Sequence, residues 1–307
     1  MRFGIGVPQF FSDGEFDHGA FAGFLARAEE LGFESGWTQE QVLGSMPQLS
    51  ALETMTYAAA CTQRMRLGCA VFVTTLHSPV HLAKGLATLD QLSRGRLDVG
   101  VGTGGQRGRG FAGFGVDPQR YVARFTEGLE LMKALWAEDT VTFPGEFWQL
   151  EDATMQPKPF QRPHPPIWFG GRAPAAVRRA VRLGTGFFGA GSSPTAQFAK
   201  QVGTLRRVLA EDGRDPAAFP IAKRIYVAVD DDAARARRRM NDSLALIYDQ
   251  RSEVIESAAV TGTPDDCVRG VREVIEAGAE LVLFSPAFDE AEQLERLAAE
   301  VIPRLRA

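Results

Sequence analysis

Eight short apolar runs recur along the chain, each followed by a turn signal and then by a stretch with helical spacing of its apolar residues. The runs fall at 3–7, 34–38, 67–73, 97–101, 167–169, 187–190, 221–229 and 281–284, and their length and β-branched content read as buried strands. Between them, Phe21, Phe24, Leu25, Ala28 and Leu31 share one helix face, as do Leu82, Leu86 and Leu89. The sets Val122, Phe125, Leu129, Met132 and Phe198, Val202, Leu205, Leu209 repeat the pattern. Strand, loop, helix in this order predicts a parallel sheet with right-handed crossovers, and eight repeats are the number that closes a barrel. The predicted fold is α/β, a single β/α (TIM) barrel over residues 1–307.

Helix starts are marked in a repeated way. Ser78-Pro79, Asp117-Pro118, Ser193-Pro194 and Thr263-Pro264 each pair a good N-cap with proline at the first helical position, and Ser50 with Glu53 reads as a capping box. Two spacings break the rhythm. Alternation around 141–150 followed by a proline-rich return predicts a hairpin insertion at about 140–166, and residues 231–262 predict added helix whose arginines form a solvated face.

Composition narrows the partners. The chain is 45% hydrophobic and 23% charged with a net charge of -4, the profile of a soluble protein without an electrostatic footprint for nucleic acid. No apolar run is long enough to span a membrane, and the first residues lack the apolar core of a signal peptide. The expected partner is a small molecule and the expected location the cytoplasm. Cys61, Cys69 and Cys267 share no C-x-x-C spacing, which reads as buried reduced thiols rather than a disulfide framework or a metal knuckle. His77 and His81 stand four apart at a helix start without a third ligand nearby, so no metal is predicted. Trp37 and the Phe10-Phe11 pair read either as core or as a stacking surface for a flat ring.

The stretch LDVGVGTGGQRGRG contains Gly100, Gly102 and Gly105 at the spacing of a dinucleotide-binding turn. That motif needs its helix to begin at the third glycine, and here the next helix signal waits for Asp117 and Pro118. The run instead lies at the C-terminal end of the fourth strand, on the face where barrel sites are built. It is expected to form one wall of a cleft, with Arg107 and Arg109 at its rim.

HSPVHLAKGLATLDQLSRGRLDVGVGTG, with RLGCAVFV before it and PPIWFGGRAPAAVRRAVRLGTGFF after it, resembles the bacterial luciferase-like superfamily over nearly the whole chain. Within it the sequence most resembles the branch of oxidoreductases that use coenzyme F420 (8-hydroxy-5-deazaflavin); flavin mononucleotide (FMN) users share these motifs. The resemblance implies a cofactor ring near Ala70, Val71 and Val73, with a cis peptide bond at Ala70-Val71, and a wall at Gly102 and Thr103. It implies a phosphate approach at Gly170, Gly171 and Arg172, with Gly191 and Ser192 beside it. It also implies a homodimer paired through helices on one side of the barrel.

The departures bear on catalysis. Where many F420 enzymes carry Asp-His at the end of the second strand, this chain has Gln39 and Glu40, and Gly105 replaces an acid after the GVGTG turn. Glu40 and Gln39 are therefore the candidate catalytic pair, with Glu40 able to move a proton if burial raises its pKa and unable to do so if ion-paired. The basic cluster of a sugar-phosphate site is not matched. Three readings stand: hydride transfer between F420 and a small organic substrate, an FMN-dependent monooxygenase using dioxygen, and a non-catalytic flavin-binding barrel.

Overall fold

The structure, a computed structural model, describes residues 1–11, 15–44, 46–104 and 111–306. Its strands are β1 (Arg2–Gly6), β2 (Ser35–Thr38), β3 (Arg66–Cys69), β4 (Phe72–Val73), β5 (Leu97–Gly102), β6 (Val141–Pro144), β7 (Gln149–Ala153), β8 (Ile167–Gly170), β9 (Gly186–Gly189), β10 (Ile221–Val229), β11 (Val260–Gly262) and β12 (Leu281–Ser285). All pairings around the barrel are parallel: β1, β2, β3, β5, β8, β9, β10 and β12 follow one another, and β12 returns to β1 through Phe3↔Val282. The eight barrel strands coincide with the eight apolar runs to within two residues at each end, apart from the C-terminal end of the third run.

Helices α1 (His18–Glu30), α2 (Ala51–Cys61), α3 (Pro79–Leu92), α4 (Tyr121–Ala137), α5 (Pro174–Leu183), α6 (Thr195–Glu211), α7 (Ala233–Ile247), α8 (Glu253–Glu256), α9 (Pro264–Glu276), α10 (Glu290–Arg296) and α11 (Ile302–Arg306) surround the strands. Two apolar layers result. Trp37, Trp168, Phe188, Ala222, Leu281 and Leu283 pack together inside the barrel, while the strand residues of opposite parity, Leu67, Val99, Phe169 and Ile225 among them, join the helices in the larger core. At the N-terminal end of the strands Asp98 accepts from Arg66 Nε at 2.7 Å and from Trp168 Nε1 at 3.0 Å, so a buried carboxylate there is fully partnered. No described helix is long and apolar enough to cross a membrane.

The sequence expectations are corrected at several points. The run 67–73 is broken: β3 ends at Cys69, the Ala70-Val71 peptide is cis, and β4 resumes alongside β5 at Phe72↔Val101. Asp117-Pro118 does not open a helix; the Asp117 carboxylate takes the N–H of Gln119 at 2.8 Å in a turn, and α4 begins at Tyr121. Ser50 bonds the Glu53 side chain rather than closing a capping box on the backbone. The Thr263 box is complete, with Asp266 returning to the Thr263 N–H at 3.0 Å. Residues 141–153 form the expected antiparallel hairpin, and 231–262 contain α7 and α8 with their arginines at 235 and 237–239 exposed. The short β11 beside β10 had no signal of its own in the sequence.

Candidate active site

The C-terminal ends of β3, β5, β8 and β9 open into a cleft of about 470 Å³. That is a volume in the ordinary range for small-molecule and cofactor sites. Ala70, Val71, Gly102, Thr103, Gly170, Gly171, Arg172 and Ser192 all line it, so eight of the ten residues expected around a cofactor border one cleft. Val73 and Gly191 are not among the lining. Arg107, Arg109 and Gly105 lie outside the described residues, as does the rest of 105–110.

Val71 explains two of the glycines. A Cβ on Gly102 would stand 2.6 Å from Val71 Cγ2, and one on Gly170 would stand 3.0 Å from Val71 Cγ1. The missing side chains of two neighbouring strands thus make the seat into which the bulge between β3 and β4 packs. Gly171 has a different neighbour, since a Cβ there would meet that of Ala176, in the first turn of α5, at 2.6 Å. The phosphate approach expected at these glycines is therefore also a packing constraint, because what a side chain first meets is protein.

Glu40 fixes the same bulge from below. Its Oε2 accepts the N–H of Val73 at 2.6 Å, its Oε1 lies 2.8 Å from His77 Nε2, and the side chain is only 7% exposed. Both carboxylate oxygens are engaged in hydrogen bonds, one to the bulge backbone and one to the His77 ring, which ties the side chain to a structural task. His77 in turn caps the short turn after β4 through its N–H to Thr74 O at 3.2 Å. The polar ends of β2 and the bulge are thereby tied together. His81, a turn further on, plays no part in this pairing.

Gln39 points elsewhere. Its backbone is clasped by the buried Gln9, which accepts the Gln39 N–H at 2.7 Å and donates to its carbonyl at 2.8 Å. Its side-chain Oε1 accepts from Arg224 Nη1 at 2.7 Å, linking β2 to β10 across the barrel mouth. Arg224 and Gln39 also line a small recess with Phe10 and Trp37. Trp37 is 2% exposed, donates to Ser35 Oγ at 2.8 Å and packs on Phe188 with ring centroids 4.7 Å apart. It belongs to the barrel interior rather than to a stacking platform.

Three residues of this region were missed from sequence. Arg179, on the inner face of α5, and Tyr121, at the start of α4, line the cleft with Arg172. Arg224 lines both cavities. Its signal was present in IAKRIYVAV, where two basic residues interrupt an otherwise apolar strand. Lys223, the other of the two, is 1% exposed and donates to Ala190 O at 2.6 Å and Arg224 O at 2.8 Å. Burial, reinforced by the Arg224 charge, pulls its pKa down to about 7.

Comparison with known proteins agrees with this architecture. The family model described as luciferase-like monooxygenase matches residues 1–253. Among curated relatives, the F420-dependent glucose-6-phosphate dehydrogenase of Kineococcus radiotolerans is 31% identical, covering 95% of this chain and 94% of the relative. That of Beutenbergia cavernae is also 31% identical, covering 92% of each. Among solved structures, the monooxygenase RslO1 from Streptomyces bottropensis is 28% identical with a TM-score of 0.83 over 99% of both chains. An F420-dependent secondary alcohol dehydrogenase, at 20% identity, shares the fold with a TM-score of 0.85 over 100% of this chain and 99% of its own. With a matching model over most of its length, relatives of equal extent and a closed eight-stranded barrel, the chain belongs to the luciferase-like monooxygenase family.

Proposed function

We propose that this protein is an oxidoreductase that transfers a hydride between coenzyme F420 and a small organic substrate held in the same cleft. The observation that carries the reading is the joining, in one cavity, of the Ala70-Val71 bulge, the glycine-lined strand ends and the N-terminal end of α5 with Arg172 and Arg179. These residues fit a flat ring bearing a phosphate-linked tail. Glycine-lined strand ends leave room for the ring beside the bulge, and a helix N-terminus with two guanidinium groups suits the anionic tail. When bound, F420 supplies a ring carbon that accepts or releases a hydride, and the protein's task is to place that carbon and exclude water. Val71, seated between Gly102 and Gly170, would contact the ring when it is bound, while Glu40 holds the bulge in place through the Val73 N–H. Glu40 and Gln39 thus act as positioning residues in this account. The curated relatives of equal length named as F420-dependent support the choice of cofactor.

Anaerobic mixing of the purified protein and reduced F420 with carbonyl compounds, and of oxidised F420 with alcohols and glucose 6-phosphate, tests this reading. Turnover of the cofactor matched mole for mole by product, with no need for oxygen, is the expected result. An FMN-dependent monooxygenase is the second reading, favoured by the 28% identity to RslO1; consumption of dioxygen with reduced FMN and none of F420 in the same assays would replace the first reading with it.

Two further features extend the proposal: the protein works as a homodimer and in the cytoplasm. Tyr57 and Leu92, 41% and 63% exposed, flank an apolar groove between α2 and α3 that a second copy would cover. A sedimentation mass equal to one chain at micromolar concentration would remove the dimer. The three cysteines are all free thiols, as a reducing compartment keeps them.

A further inference from the structure

Arg224 is a cation held by neutral partners. Its guanidinium donates to the amide oxygen of Gln39 at 2.7 Å and to the hydroxyl of Tyr226 at 3.0 Å, and Tyr226 in turn shares a hydrogen bond of 3.0 Å with Tyr248. Its plane lies over the Tyr226 ring, 5.1 Å from the centroid. Among the described residues no carboxylate pairs with it. Glu290 lines the same small recess without forming an ion pair, and burial holds its carboxyl above the usual range, toward the uncharged form.

Arg224 is partly buried, and its guanidinium faces the cavities without a counter-charge of its own among the described residues, an arrangement that favours an anion arriving there. The fold orients the guanidinium with care. Gln39 offers the acceptor geometry of a carboxylate while leaving the positive charge uncancelled, and its own backbone is fixed by Gln9. Gly191 keeps the approach open, since a Cβ there would stand 2.7 Å from Arg224 Nε. The head also lines the large cleft that contains the Ala70-Val71 bulge.

We propose that Arg224 is the receptor for a delocalised oxyanion, a carboxylate or enolate-type oxygen, carried by the ligand that occupies the cleft. The planar guanidinium matches such an oxygen pair in a way a lysine would not. Two sources carry this chemistry. One is a substrate with a carboxylate or an ionised enol. The other is the reduced cofactor, whose pyrimidine half bears negative charge; this second source rests on the F420 reading, the first does not.

Cofactor-free protein is titrated with benzoate and with its neutral counterpart benzamide, following the fluorescence of Trp37 in the recess beside Arg224. A substrate receptor binds benzoate at least tenfold more tightly than benzamide. The preference falls to within twofold in Gln39→Glu, which neutralises Arg224 while keeping its hydrogen bond, and in Arg224→Met, and it survives in Tyr226→Phe. In the second arm, oxidised and reduced F420 are titrated against wild type and Gln39→Glu. If benzoate and benzamide bind wild type alike but the variant loses tenfold in affinity for reduced relative to oxidised F420, the oxyanion is the cofactor's. Equal binding of benzoate and benzamide with no change in that ratio overturns the proposal, and so does a benzoate preference that persists in both Gln39→Glu and Arg224→Met. Both the benzoate preference and the reduced-to-oxidised F420 ratio are read in Arg224→Met as well, so that failure of Gln39→Glu to fold leaves the proposal open to refutation by Arg224→Met alone, and failure of F420 to bind at all leaves the benzoate result standing.

Discussion

Glu40 joins the second strand to the bulge after the third by accepting the N–H of Val73 at 2.6 Å while its other oxygen meets His77 at 2.8 Å. A carboxylate with both oxygens committed holds backbone rather than moves protons. Glu40→Ala should therefore lower affinity for the cofactor by about tenfold and stability by roughly 1–3 kcal/mol, the cost of a buried donor left unpaired. Turnover at saturating cofactor should stay within a few-fold of wild type. A fall of about a hundredfold in saturated turnover with unchanged affinity is the signature of a proton carrier and would contradict this assignment.

Val71 and Gly170 should be coupled. Gly170→Ala forces its Cβ to within 3.0 Å of Val71 Cγ1, an overpacking worth roughly 1–3 kcal/mol, and the displaced bulge should weaken cofactor binding as well. Val71→Ala removes the clashing methyl groups. The double variant is expected to be more stable than the sum of the two single losses, a non-additivity measurable by denaturant unfolding. Strict additivity would mean that Val71 is not what Gly170 accommodates.

These couplings also mark what the sequence could and could not disclose. The strand 221–229 was legible to the residue because β-branched and apolar types dominate it over a full buried length. The break at Ala70-Val71 was legible only through family resemblance, since two small apolar residues read as uninterrupted strand by periodicity. Of the candidate site, the glycine-rich strand ends were visible as composition. Their reason, a seat for Val71, depends on which residues three strands bring together. The partners of Glu40 lie 33 and 37 positions away, and Gln39 meets Arg224 across 185. No local pattern encodes such pairs, so the sequence marks Glu40 and Gln39 as departures from the family pattern and leaves their partners hidden.

Asp98 offers a test of stability apart from the site. It accepts from Arg66 at 2.7 Å and from Trp168 at 3.0 Å at the opposite end of the barrel from the cleft. Asp98→Ala should cost roughly 2–4 kcal/mol, below the full value for a buried pair because the Arg66 side chain remains 30% exposed. Cofactor affinity of the folded variant should be unchanged. A large loss of affinity would show that the two ends of the barrel are not mechanically separate.

Lys223 should make stability depend on pH. Its ordinary value of 10.5 in the unfolded chain falls to about 7 on folding, first through burial and then through the Arg224 charge. Between these values the unfolded chain holds a proton that the folded protein does not, so the Lys223 contribution to stability rises as pH increases from about 7 toward 10.5 and is flat below. The slope is bounded at ~1.4 kcal/mol per pH unit for one proton. In Lys223→Met this increment should vanish, and unfolding curves at pH 7 and pH 9 should show wild type gaining on the variant. Parallel pH profiles would mean that Lys223 is not held neutral.

The cleft between the Ala70-Val71 bulge and α5 is assigned to a deazaflavin that serves hydride transfer. Equilibrium titration of the purified protein with F420 and with FMN under identical conditions tests this assignment. F420 is expected to bind at least tenfold more tightly than FMN, with both affinities reduced by Gly171→Leu in protein that remains folded. Tighter binding of FMN, or F420 binding untouched by Gly171→Leu, would contradict it.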